Sequence, residues 1–88
     1  MTMEEIAKSL SGRLNEEIAD SGTYFTMAQN AMADGCNESA DALFNIAYDE
    51  GTHAQYIRDI CSMYEMPVNE ATEKDFKAMC ERLNSLDN

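Results

Sequence analysis

Glu17, Glu50 and His53 are the residues of this 88-residue chain whose types and spacing suit chemistry. His53 is the chain's single histidine, and Glu50 stands three positions before it in "AYDEGTHAQYI", residues 47–57. Residues at i and i+3 share one face of a helix and can point at one centre. Carboxylate oxygen together with imidazole nitrogen suits iron, manganese or zinc better than calcium or copper(I). Ten of the 88 residues are glutamate, so a glutamate precedes the histidine at that spacing by chance about once in nine, and the pair alone says little.

Its surroundings say more. Glu50 and His53 interrupt a stripe that reads Leu43, Ile46, Ala47, Glu50, His53, Ala54, Ile57, Ile60 and Tyr64. Glu17 interrupts another: Leu10, Leu14, Glu17, Ser21, Tyr24, Ala28 and Ala31, spaced by alternating steps of four and three. Such stripes are the core-facing sides of amphipathic helices. A carboxylate buried there without a partner is costly and tends to take up a proton instead. A lone histidine near an apolar face is commonly a hydrogen-bonded structural residue. A metal ion would account for all three polar groups together.

The elements that must position them follow from the punctuation. Thr2 suits a helix N-cap, with Glu5 reaching back, and no proline interrupts the chain from there to Ala33. "DGCN" (34–37) breaks the pattern, with Gly35 suited to a C-cap and Asn37 to the next N-cap. The second helix is expected over 38–64, ended by Pro67. So short a link implies an antiparallel helical hairpin. Glu17 lies about 18 residues before the bend and Glu50 about 14 after it, so at ~1.5 Å per residue their depths are about 27 and 21 Å. The three groups can meet. A shorter third helix is expected to start at Asn69, or at Thr72 with Asp75 completing a capping box, and to present Phe76, Met79, Cys80, Leu83 and Leu86. The fold class is therefore all-α: residues 1–66 a hairpin, residues 67–88 a C-terminal helix.

One glutamate with one Glu-x-x-His is half of a di-iron carboxylate centre. In a four-helix bundle the full set is a glutamate from each of two helices and a Glu-x-x-His from each of the other two. Two copies of the hairpin about a two-fold axis would supply it, and each would cover the other's stripe.

Composition narrows the field. Seventeen acidic against six basic residues give a formal charge of −11, which repels nucleic-acid backbones and anionic lipid. No apolar run is long enough to cross a bilayer, and the acidic N-terminus has no signal-peptide pattern. Cys36, Cys61 and Cys80 form no Cys-x-x-Cys pair, which argues against a disulfide framework or a zinc ribbon. They are expected as buried small apolar residues, and Met27, Met32, Met63 and Met79 as core or interface filler.

"LNEEIADSGTYFTMAQNAMADG" followed by "ADALFNIAYDEGTHAQYI" resembles the rubrerythrin and ferritin-like superfamily. The resemblance covers roughly residues 10–64 and rests on a first-helix glutamate, a tyrosine seven residues on, and a downstream Glu-x-x-His: Glu17, Tyr24, Glu50 and His53 here. One hairpin without a rubredoxin-like cysteine module is closest in layout to the half-size encapsulated ferritins. The resemblance implies a homodimeric four-helix bundle with a di-iron centre shared between subunits, Glu17, Glu50 and His53 as ligands, and Tyr24 hydrogen-bonded to a ligand carboxylate. It implies ferroxidase activity for iron storage or detoxification in a cytoplasmic protein, housed in an encapsulin shell where a C-terminal targeting tail is present. "SLDN" shows no such tail, so the chain is either trimmed or a free-standing relative. Family members also carry further acids beside the first-helix ligand; Glu16 matches one of these positions and Ala19 departs from another. Tyr48 and Tyr56 are candidate electron donors. The alternatives are a rubrerythrin-like peroxidase at the same centre, a structural zinc or calcium site, and a non-catalytic acidic helical adaptor for a basic partner.

Overall fold

A computed structural model describes residues 1–87, all of its regular structure helical: α1 (Met3–Ala33), α2 (Asn37–Met63), α3 (Glu70–Asn84) and a closing 3-10 turn (Ser85–Asp87). α1 begins as its sequence dictates. The Thr2 hydroxyl accepts from the Glu5 amide while the Glu5 carboxylate accepts from the Thr2 amide, a complete capping box. It ends in a Schellman motif. Gly35 takes φ +79°, its amide donates to Met32 O, and the Cys36 amide donates to Ala31 O.

The same turn starts α2, one residue earlier than expected. Cys36, not Asn37, holds the N-cap position, its carbonyl receiving the Ala40 amide, and its side chain makes no capping hydrogen bond. Asn37 is therefore inside the helix. α2 stops at Met63, before Pro67 can act. A second Schellman motif closes it, with Glu65 at φ +55°. α3 takes the Asn69 start: its side chain accepts from the Thr72 amide at 2.8 Å. Thr72 is instead buried, its hydroxyl donating to Oδ1 of Asn15 on α1. Leu86 falls in the 3-10 turn, beyond the helix it was expected to extend, and is exposed.

α1 and α2 pack closely as an antiparallel pair, clamped by the buried Ser21 hydroxyl donating to Ala47 O at 2.8 Å. α3 lies across one face of that pair. Arg58 of α2 grips Glu73 through two 2.8 Å bonds, and Leu83 packs on Gly51. The core lies between the three helices: Leu14, Ile18, Phe25, Ala47, Ala54, Ile57, Cys61, Met79 and Leu83. Burying each large member contributes about 1.5–3 kcal/mol. Of the expected fillers only Met79 is buried; Met27, Met32 and Met63 are exposed, as is Cys36 at the turn. Among the described residues, no helix is long and apolar enough to cross a membrane.

Candidate metal centre

At about 100° per residue, the α3-facing direction of α2 is marked by Gly51 and Arg58, and that of α1 by Gly22. His53 lies about 160° around α2 from Gly51, and Glu17 about 140° around α1 from Gly22. Glu50 lies between, about 100° from Gly51. The three therefore converge at the α1–α2 seam on the side α3 leaves uncovered, at the edge of the core and not within it. The expected stripe of α2 divides accordingly. Ala47, Ala54 and Ile57 turn inward, while Ile46 (39% exposed), His53 and Tyr64 (37%) remain on the open side.

One ligand-type atom from each of Glu17, Glu50 and His53 lies within 4.8 Å of the others. The His53 Nδ1 stands 3.6 Å from Oε2 of Glu17 across the seam, with the Glu17 side chain 18% exposed and that of His53 56%. That same Glu17 oxygen is buried and has no hydrogen-bond partner. Glu50 responds to its neighbour. A hydrogen bond to Glu17, burial and the repulsion of the Glu17 charge push its carboxyl up to about 7, with Asp20 adding repulsion and His53 opposing it.

This arrangement fits a hard or borderline divalent cation. Two carboxylates crowd together, one keeps a proton near neutrality, and one oxygen is desolvated without a donor. An ion placed among them would displace the proton, satisfy the orphaned oxygen and use the imidazole as a nitrogen ligand. Three protein ligands also leave coordination positions open. Tyr24 is half-buried and packs against the core. Its hydroxyl does not reach the orphaned Glu17 oxygen, which has no partner. Tyr48 and Tyr56 are exposed, outside the cluster.

One contributor escaped the sequence reading. Asp20, one turn beyond Glu17, adds negative charge at Glu50. Gly51, beside Glu50, is buried under Leu83. A glycine inside a helix weakens it unless something packs close, so Gly51 is readable from the sequence as a place of close helix approach.

Among curated proteins, an "Uncharacterized protein MJ0746" of Methanocaldococcus jannaschii is 28% identical over 76 residues, which is 86% of this chain. Those residues are 54% of that protein, so the chain spans about half the length of the relative it matches. No family model matches the chain. No solved structure matches it.

Proposed function

We propose that this protein is a ferroxidase that oxidises Fe(II) to Fe(III) at a di-iron site completed by a second copy of the chain. The observation that carries the reading is the Glu17–Glu50–His53 group, gathered within 4.8 Å around a buried carboxylate oxygen that has no partner. One hairpin supplies half the ligand set of a four-helix di-iron centre, and a two-fold axis through the open face supplies the rest. That face also carries the half-exposed Ile46 and Tyr64, whose cover would be the second hairpin.

Glu50 and His53 of each copy would hold one iron, and the two Glu17 carboxylates would bridge or flank the pair. Anionic oxygen ligands stabilise Fe(III) relative to Fe(II), so the site lowers the potential of its substrate and favours loss of an electron to dioxygen or peroxide. Glu50 releases its proton on loading, and the −11 surface raises the local concentration of Fe(II). Tyr24, on the same side of α1 as Glu17, is the candidate second-sphere donor to a ligand carboxylate. The iron assignment and the ferritin-like bundle draw on the resemblance carried by Glu17, Tyr24, Glu50 and His53.

Metal analysis alongside solution mass tests the proposal. The expected result is about one iron per chain and two per dimer, with both lost in Glu50→Ala. An iron-free monomer of native helicity at millimolar Fe(II) would overturn it. Oxygen and peroxide consumption, measured during Fe(II) oxidation, separate a ferroxidase from a peroxidase. A His53→Ala protein with unchanged assembly and metal content would point to the adaptor.

A further inference from the structure

α3 contributes no residue to the Glu17–Glu50–His53 group, yet its last turn leans on both helices that do. A β-carbon added at Gly51 would collide with Cδ1 of Leu83 and meet Cε of Met79 at 3.7 Å. Leu83 and Met79 are themselves buried, with little room to swing aside. The neighbouring Arg82 lies over α1: its Nη2 is 3.4 Å from where a β-carbon of Gly22 would stand, and its guanidinium sits 5.5 Å from the centre of the Phe25 ring. Consecutive residues of α3 thus rest on one glycine of each hairpin helix. A glycine inside a helix costs up to ~1 kcal/mol relative to alanine. At Gly51 that cost falls within the segment that presents Glu50 and His53.

We propose that Leu83, packed on Gly51, is a positioning residue for the metal site, so that docking of α3 sets how close Glu50 stands to Glu17. The proposal rests on reading Glu17, Glu50 and His53 as ligands. Gly51 is one residue from Glu50 and two from His53 on a continuous helix, so a shift of α2 at Gly51 is carried directly to both. Bonds from oxygen and nitrogen to such an ion are about 2.0–2.2 Å, and ligands already gathered leave little tolerance. The coupling is reciprocal: whatever factor docked α3 adds to ion affinity, a bound ion adds to the docking of α3.

Zinc(II), which is redox-inert, is the probe. Its binding is titrated calorimetrically in wild type, Gly51→Ala, Leu83→Ala and the double variant, with circular dichroism as the check on folding. Gly51→Ala is expected to weaken zinc binding about tenfold or more, within the range that supporting residues exert on metal affinity. The double variant, which restores the space, should recover to within about threefold of wild type. Zinc should also slow amide exchange over residues 76–83 of wild type and fail to do so in Gly51→Ala. Wild-type affinity in Gly51→Ala, or a double variant as weak as the single, overturns the proposal. If Gly51→Ala does not fold, Leu83→Ala alone decides: unchanged affinity with helices intact overturns the positioning role, and a loss of about threefold or more supports it. Glu50→Ala is the separate control. Undiminished zinc uptake in that variant would overturn the ligand reading itself, and the positioning role with it.

Discussion

Glu17 and Glu50, separated by 33 residues in the chain, bring carboxylate oxygens within 4.8 Å of each other across the α1–α2 seam. The Glu50 carboxyl is raised from 4.5 to about 7 in the folded protein. Between those values the folded chain keeps a proton that the unfolded chain has released. The contribution of Glu50 to stability therefore declines as pH rises from about 4.5 to about 7, and its cost is fully present above that. Urea unfolding of chelator-treated protein should give a lower midpoint at pH 8 than at pH 5. Glu50→Gln should remove this slope and stabilise the metal-free protein at pH 8 by about 1–2 kcal/mol. Glu73 hardly competes in that interval, because Arg58 holds its carboxyl below the ordinary value. A wild type whose slope matches that of Glu50→Gln would contradict the raised Glu50 carboxyl.

The same proton must leave when a cation binds. Metal loading should release more protons per chain at pH 6 than at pH 8, with about one of the additional protons coming from Glu50. Calorimetry in buffers of different ionisation enthalpy measures the difference, and equal release at the two pH values would count against Glu50 as a ligand.

Glu65 sits at φ +55°, where a side chain is strained and glycine is not. Its amide donates to Ser62 O and the next amide, Met66, to Cys61 O at 2.8 Å, so the conformation is required to close α2. Glu65→Gly should raise stability by about 1 kcal/mol, and a β-branched residue there should lower it. For a domain of this size, thermal unfolding would register the glycine as a gain of about 4–8 °C.

Cys36 occupies the N-cap of α2 without capping it. Cys36→Ser or Cys36→Asp gives the first-turn amides an acceptor and should add about 0.5–1 kcal/mol, read from urea midpoints. Gly12→Ala should give a similar gain, because nothing lies within 4 Å of the added carbon. Gly51→Ala should have the opposite sign, since its carbon meets Leu83.

Helices and their order were legible because each carries local instructions: the Thr2–Glu5 box, Gly35 and the Asn69 cap are read within a few residues. Similar depth along a two-helix hairpin followed from counting residues out from the bend, and that arithmetic brings Glu17 to within roughly one turn of Glu50. The faces were harder to read. A stripe of period 3.6 says that Ile46 and Ile57 share a broad side of α2, but not that α3 seals part of it and leaves the rest open. That division depends on Leu83 meeting Gly51, a contact between residues 32 positions apart that no local pattern announces. Likewise Pro67 was the conspicuous stop, yet Glu65 ended α2 first through a backbone conformation that glutamate rarely adopts.

Because α3 shields one flank of the hairpin, the protomer has a single bare flank. A rod of two helices naked on both sides would keep recruiting neighbours, layer upon layer, with no geometric reason to halt. In the proposed dimer, a copy related by a two-fold axis through the bare flank would exhaust it, and growth by that route would terminate at a pair. In that arrangement the short C-terminal helix would act as a stopper on polymerisation as much as a piece of the core.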